Sequence, residues 1–309
     1  MKSRSTILVI GGTGAQGGSV ARALLNSRKY NVRILTRYPA SAKALALKNE
    51  GAEIVQGDLE DMNSLREAMK NVYGVFGVTS YWEHFEKEYH QGKNLVEAVY
   101  QTGVKHFVFS TLPNYNKLSE GRFSVPQYDI KALLQNYARR SQLPATFLHA
   151  SFYYENFLDM FPLQKDEDDN IWFGFPQGDA KLAMVSVEDI GGIVATMFEH
   201  PDLYIGRTVQ AVGADETCDT YAAILSDVLE QKVYYKHISR DEYASYETPN
   251  AEEIANTFEV RRLFVAEKLV DMIESYALNP SMQNFRDWAV KNKGKLLRLI
   301  NNQIQVMVD

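Results

Sequence analysis

Three glycines at a spacing of three, Gly11, Gly14 and Gly17, stand in the run Gly11-Gly12-Thr13-Gly14-Ala15-Gln16-Gly17. An apolar β-branched segment, Thr6–Ile10, leads into them, and an amphipathic stretch, Ser19–Asn26, follows. In that context one glycine supplies a tight turn and another lets backbone approach a pyrophosphate, while the third lets the helix lie close on the strand. N–H groups at the start of the helix would then face the phosphates of a dinucleotide. The glycine pattern alone is weak, and the flanking strand and helix make it specific. About 20 residues further on, a carboxylate normally takes the ribose 2′-hydroxyl of NAD. Here that position reads Thr36-Arg37, with no acid beside it and a guanidinium able to grip a 2′-phosphate bidentately. The residues favour NADP(H) over NAD(H).

The same turn has the spacing of extended short-chain dehydrogenases, and its Gly14-Ala15-Gln16-Gly17 ending resembles the NmrA-like group among the atypical ones. Further matching segments are Leu35-Thr36-Arg37, Gly57-Asp58-Leu59, Thr79-Ser80-Tyr81-Trp82, Gln91-Gly92-Lys93, Tyr153-Tyr154-Glu155-Asn156-Phe157 and the Asn279–Trp288 ending. The similarity runs along nearly the whole chain, and it implies an NADP-binding domain with a small lobe. It also implies roles. Gly11 to Gln16 would hold the pyrophosphate and Arg37 the 2′-phosphate, with Asp58 and Leu59 flanking adenine. Thr79, Ser80 and Tyr81 would line the ribose toward nicotinamide. Lys93, Lys131, Tyr153, Tyr154, Glu155 and Asn156 would lie around the nicotinamide end. Tyr153 and Tyr154 read equally as aromatic packing, Asp58 as a carboxylate at a helix start, and Lys93 as a solvated helix lysine.

Proton transfer is the second chemistry to look for. Short-chain dehydrogenases pair a tyrosine with a lysine four residues later on one helix, where the lysine lowers the phenol's pKa. Lys131 is present, but the position four before it is Gln127, and an amide does not exchange a proton at neutral pH. Tyr128 is one residue off, about 100° around the helix. Ser110 ends a strand where such enzymes keep a serine. Two functions stay open. The resemblance to NmrA-like redox sensors implies an NADP(H)-binding sensor or regulator, in which Lys131 only binds ribose. The alternative is an NADPH-dependent reductase of quinone or of isoflavone or benzylic-ether type, with Lys131 as its catalytic residue.

Alternating short strands and amphipathic stretches must position these groups. Strands are expected at Thr6–Ile10, Val32–Thr36, Glu53–Gln56, Gly74–Val78, His106–Ser110 and Thr146–Ala150. Helices are expected at Ser19–Asn26, Ala40–Asn49, Met62–Lys70, Glu86–Thr102 and Gln127–Ser141. The pattern is that of βαβ units. It gives an α/β fold, a doubly wound parallel sheet of Rossmann type over residues 1–150. Residues 151–309 form a smaller, mostly helical C-terminal lobe packed on it. There the acidic Asp166–Asp169 reads as a solvated turn and Ile190–Phe198 as a helix. Thr208–Val212, Thr220–Glu230 and Val233–Ile238 read as strand, helix and strand. Ser239 with Glu242 reads as a capping box. Helix is expected over Glu252–Tyr276 and again over Met282–Asn292.

The bulk numbers narrow the partners. Of 309 residues 45% are hydrophobic and 23% charged, enough for a sizeable core, and the net charge of −6 argues against a nucleic-acid surface. The single cysteine, Cys218, excludes an intramolecular disulfide and suits a reducing cytosol, so a cytoplasmic location is expected. No apolar run is long enough for a membrane span. The histidines lack ligand spacing, so no metal is expected, and His149 reads as a packed core histidine. Lys291, Lys293, Lys295 and Arg298 read as a solvated helix face. The expected partners are NADP(H) and either a second protein or a second copy of this chain.

Overall fold

The computed structural model describes residues 4–85, 87–266 and 270–306. The first half alternates strand and helix: β1 (Thr6–Ile10), α1 (Ala15–Ser27), β2 (Asn31–Thr36), α2 (Ala42–Asn49), β3 (Glu53–Gln56), α3 (Met62–Ala68) and β4 (Gly74–Gly77). It continues through α4 (Tyr81–His84), α5 (Lys87–Thr102), β5 (His106–Thr111), α6 (Tyr115–Leu118), α7 (Pro126–Arg140) and β6 (Ala145–Ala150). Local chemistry sets the boundaries. Ser41 Oγ and Asp61 Oδ1 accept the N–H groups of Ala44 and Asn63 to start α2 and α3. Gly103, with φ +66°, takes the left-handed position that ends α5. β4 and β5 are buried along their whole length, as strands covered on both faces must be.

These strands join one parallel sheet in the order β11-β6-β5-β4-β1-β2-β3, where β11 is Thr208–Ala211 from the second half. Connections leave β1 and β4 in opposite senses. The switch between them opens a crevice at the strands' C-terminal ends, where the glycine turn and the Thr79 loop both lie. One face of the sheet packs on α1 and on α8 (Ile190–Glu199), through Val20, Leu24, Ile193 and Phe198. The other face packs on α3, α5 and α7, through Leu65, Leu95, Val96 and Leu134.

Beyond β6 the chain is mostly helical, as expected, and it adds two small sheets. β7 (Phe152–Tyr153), β10 (Leu182–Val185) and β12 (Ala214–Glu216) make one three-stranded sheet; β8 (Gln164–Lys165), β9 (Ile171–Phe175) and β13 (Val233–His237) make another. Most of these runs are too short to display a period of two, so the aromatic stretch that contains β9 hid its strand. Helices α9 (Pro201–Tyr204), α10 (Cys218–Leu229), α11 (Arg240–Ala244), α12 (Ala251–Val260), α13 (Met272–Leu278) and α14 (Phe285–Val306) complete the chain. The helix expected over Glu252–Tyr276 is not continuous: α12 gives way to a π-turn at Arg261–Val265, and Asp271 caps a new start at α13. Residues 267–269 of that run, and Glu86 at the expected start of α5, lie outside the described residues. The turn at Asp166–Asp169 and the Ser239 cap on the Glu242 N–H are as the sequence reads.

A division at residue 150 does not follow the packing. β11 pairs with β6, and α8 lies across α1, so residues from both halves build the first domain. The lobe's own core is aromatic, built on Tyr154, Phe157, Phe173, Phe175, Phe285 and Trp288. No helix among the described residues is long and apolar enough to cross a membrane.

The α1–α8 crossing is close enough to be tested. A Cβ on Gly191 would stand 2.3 Å from the Ser19 carbonyl oxygen, while one on Gly294 in α14 would meet nothing within 4 Å. Gly191→Ala is therefore expected to lower stability by about 1–3 kcal/mol, and Gly294→Ala to raise it by roughly 0.5–1 kcal/mol. Thermal melts followed by circular dichroism check both; an undisturbed Gly191→Ala melt would mean that the helices are not this close.

Candidate functional site

The turn after β1 is shaped by backbone approach. Gly11 has φ +69°, and its carbonyl accepts the Gly14 N–H at 2.9 Å. A Cβ on Gly17 would lie 2.2 Å from that carbonyl oxygen, so only glycine lets α1 begin here. Gly14, the N-cap of α1, supplies no capping side chain, and the first turn carries no acid. Its leading N–H groups are thus left for an anion.

In front of them runs a groove of about 560 Å³. Gly11, Thr13, Gly14, Ala15, Gln16 and Gly17 form one wall; Thr36, Arg37, Asp58, Leu59, Thr79, Ser80 and Tyr153 also border it. Gly12 sits behind the turn, where a Cβ would meet Ile34 at 2.7 Å. Thr36 Oγ1 accepts the Tyr38 N–H. The Asp58 carboxylate accepts the Glu60 N–H at 2.9 Å, so it also holds its own turn.

Four further groove residues carry no signal in the sequence: Ser41, Lys43, Glu83 and His84. Glu83 changes the reading of Arg37. No acid neighbours Arg37 in the chain, but α4 brings the Glu83 carboxylate to 3.3 Å from its guanidinium. Both partners are exposed, so this pair is worth only about 0–1 kcal/mol and a phosphate could displace it.

A second cavity, about 320 Å³ and mostly apolar, adjoins the groove and shares Gln16, Val78, Thr79, Ser80 and Tyr153 with it. Tyr81, Asn156 and Lys131 line it, beside Trp82, Tyr128, Phe152, Phe161 and Phe258. Gln16 Nε2 donates to the Tyr153 hydroxyl, leaving Gln16 Oε1 buried without a partner. Burial holds the Tyr153 phenol above the usual tyrosine range, so it stays neutral. Ser110 is also on the wall. Gln127, where a proton-donating tyrosine would stand, instead gives its amide to Thr257 Oγ1 at 2.9 Å.

Lys131 is tied on three sides. Its ammonium donates to the Thr79 carbonyl at 2.8 Å and to Thr79 Oγ1 at 3.2 Å, and it forms a short ion pair with the fully buried Glu88. Burial pulls the ammonium below the usual lysine range, against the opposing pull of Glu88. Thr79 Oγ1 in turn donates to Glu88 at 2.6 Å. This cluster fixes the loop after β4 to α5 and α7. Glu88 gave no sign in the sequence, where it looks like any glutamate of a polar helix start.

Three expected residues stand elsewhere. Tyr154 is fully buried in the lobe core, packed on Phe285 and Trp288. Glu155 accepts Ser186 Oγ at 2.7 Å, the Val187 N–H at 2.9 Å and Trp288 Nε1 at 3.1 Å, clasping the lobe together. Adjacent residues of a short 3-10 turn face different ways, which separates both from Tyr153. Lys93 lies on the outer face of α5, pairs with Glu97 at 3.7 Å and sits over the Tyr137 ring. None of the three borders either cavity. His149 donates to Gln135 Oε1 at 2.8 Å; burial, with Arg139, pushes its pKa down to about 4, so it is neutral near pH 7. Lys291 and Lys293 pair with Glu188 and Glu230 on the surface.

A seven-stranded parallel sheet with a glycine-walled groove at its switch point places the chain in the Rossmann class of α/β proteins. The sequence profile of the NmrA-like family matches residues 3–288, and the chain belongs to that family. It is 32% identical over 269 residues to an NmrA-like family domain-containing oxidoreductase of Aspergillus hancockii, spanning 81% of this chain and 80% of that one. Two solved structures share the fold. NmrA, a negative transcriptional regulator solved in complex with NADP, superposes with a TM-score of 0.77 at 19% identity, covering 94% of this chain and 95% of that one. An NADPH-dependent quinone oxidoreductase of Escherichia coli, complexed with NADPH, gives 0.77 at 20% identity, covering 93% and 99%.

The buried pair generates a test. Lys131→Met or Glu88→Leu alone leaves an unanswered buried charge and is expected to cost about 3–5 kcal/mol in urea denaturation. The double variant should lose clearly less than the sum of the two. Strictly additive losses would show that the two charges do not support each other.

Proposed function

We propose that this protein is an NADPH-dependent reductase that acts on a planar conjugated acceptor of the quinone class. The observation that carries this reading is the confluence of the two cavities: the groove opens, past Gln16, Ser80 and Tyr153, into an aromatic-walled pocket. A binding site for the dinucleotide alone does not need that pocket. The glycine turn fits a pyrophosphate, since it leaves uncapped N–H groups where an acid or a larger side chain would block approach. Arg37 and Lys43 fit a 2′-phosphate at the groove's far end.

Bound NADPH supplies a hydride. The chain's own residues hold the acceptor flat between the aromatic walls and fix the Thr79 loop through Lys131 and Glu88. Gln127 cannot donate a proton, and the ammonium of Lys131 is committed to Thr79 and Glu88. Such a site suits a quinone: with one hydride from NADPH and one proton from water, quinone becomes hydroquinone and NADPH becomes NADP⁺. A ketone, whose alkoxide needs a positioned acid worth about 10²–10⁴ in rate, is poorly served. The oxidoreductase names of curated relatives and the quinone oxidoreductase among the structural neighbours support this choice. A second reading, an NADP(H)-responsive regulator, draws on the same committed Lys131 and on the structural likeness to NmrA.

Two measurements test the reading. NADPH should bind at least about tenfold tighter than NADH, the worth of one charge-assisted contact. Arg37→Ala should remove most of that preference, and Glu83→Gln should strengthen NADPH binding by freeing the guanidinium. Equal affinities for the two cofactors would refute the assignment. NADPH consumption should be seen with quinones and hardly at all with simple ketones; tight binding with no turnover on any quinone would move the conclusion to the regulator.

A further inference from the structure

The apolar pocket has two charged residues on its wall, and only one of them is answered. Lys131 has Glu88. Arg261, which opens the π-turn at the end of α12, has no ion pair among the described residues. Its neighbour Arg262 shows the contrast, paired with Glu259 at 2.7 Å. Arg261 donates to the Tyr128 hydroxyl at 2.6 Å, and its guanidinium carbon lies 5.8 Å and 5.9 Å from the ring centres of Tyr128 and Phe152. Its Nε is buried without a hydrogen-bond partner. Tyr115 stacks on Tyr128 at 4.1 Å and interacts with the guanidinium too, but burial holds its phenol above the usual range, so it adds no negative charge. Arg261 also borders a smaller cavity of about 90 Å³, whose other charged residues, Lys181 and Asp215, interact with each other.

A guanidinium drawn out of water beside aromatic rings is costly unless an anion with matching geometry meets it. A π-turn is itself a departure that recurs at functional sites, because it re-aims a side chain from the helix's regular face. We infer that Arg261 is a specificity-determining residue of the pocket, and that the molecule bound there carries a carboxylate on its planar conjugated body. The aromatic walls take the body, and the guanidinium fork takes the carboxylate. The body's identity rests on the reductase reading; the charge preference does not.

Binding of anthraquinone-2-carboxylate and of its methyl ester to the NADP⁺-loaded protein tests this, alongside NADPH turnover on the same pair. The carboxylate should bind at least about tenfold tighter than the ester, as one charge-assisted contact gives. Arg261→Met should bring the ratio of the two affinities to about one. Arg261→Lys keeps the charge but loses the fork, and should cut the ratio about threefold or more. Equal affinities in the unmodified protein overturn the inference whether or not the variants fold, and so does a ratio unchanged in either variant. Carboxylate-selective binding without turnover on any quinone leaves the inference standing and removes the reductase.

Discussion

The fold turns on how near the backbone of α1 comes to the turn before it. The Gly11 carbonyl oxygen occupies space within 2.2 Å of where any Cβ on Gly17 would be. That approach sets where α1 starts, and so aims its first N–H groups into the crevice between β1 and β4. The opposite wall, the Thr79 loop, is held by a different force. There Lys131 and Glu88 bring two charges into the interior, pair with each other and bond to Thr79. One wall is thus fixed by steric contact and the other by electrostatics.

Charge compensation separates support from recognition in this site. Lys131 has a buried carboxylate and three bonds, so its charge is spent on the loop. Arg37 has an exposed carboxylate at 3.3 Å, weakly held and replaceable by a phosphate. Arg261 has aromatic rings and two neutral phenols, with no carboxylate among the described residues. The three cations border two adjoining cavities and differ in how completely each is neutralised. The same logic explains why Glu155 stands outside the site: its acceptor capacity is consumed by Ser186, Val187 and Trp288.

Much of the groove was legible in the chain because local physics writes it there. A β-branched strand, a glycine turn and an amphipathic helix are neighbours in sequence, so the wall from Gly11 to Gly17 and the βα alternation through Ala150 could be read directly. Gln127 in the tyrosine position was equally visible, since four residues on a helix fix a common face. Contacts between distant segments were not. Glu83 meets Arg37 across 46 residues, Glu88 meets Lys131 across 43, and nothing in either neighbourhood announces the partner. Tyr153 and Tyr154 are indistinguishable as residue types; the strand ends at Tyr153, which borders the groove, and the short turn that begins at Tyr154 packs that ring into the lobe's core. Arg261 sits in a stretch that reads as unbroken helix, whereas in the fold it opens a π-turn and borders the pocket. The sequence by itself determined the glycine turn and the strand–helix alternation through the first six strands, because those depend on neighbours in the chain. Tertiary structure alone decided which charges are answered, because that depends on which remote side chains the packed sheet and lobe bring within reach.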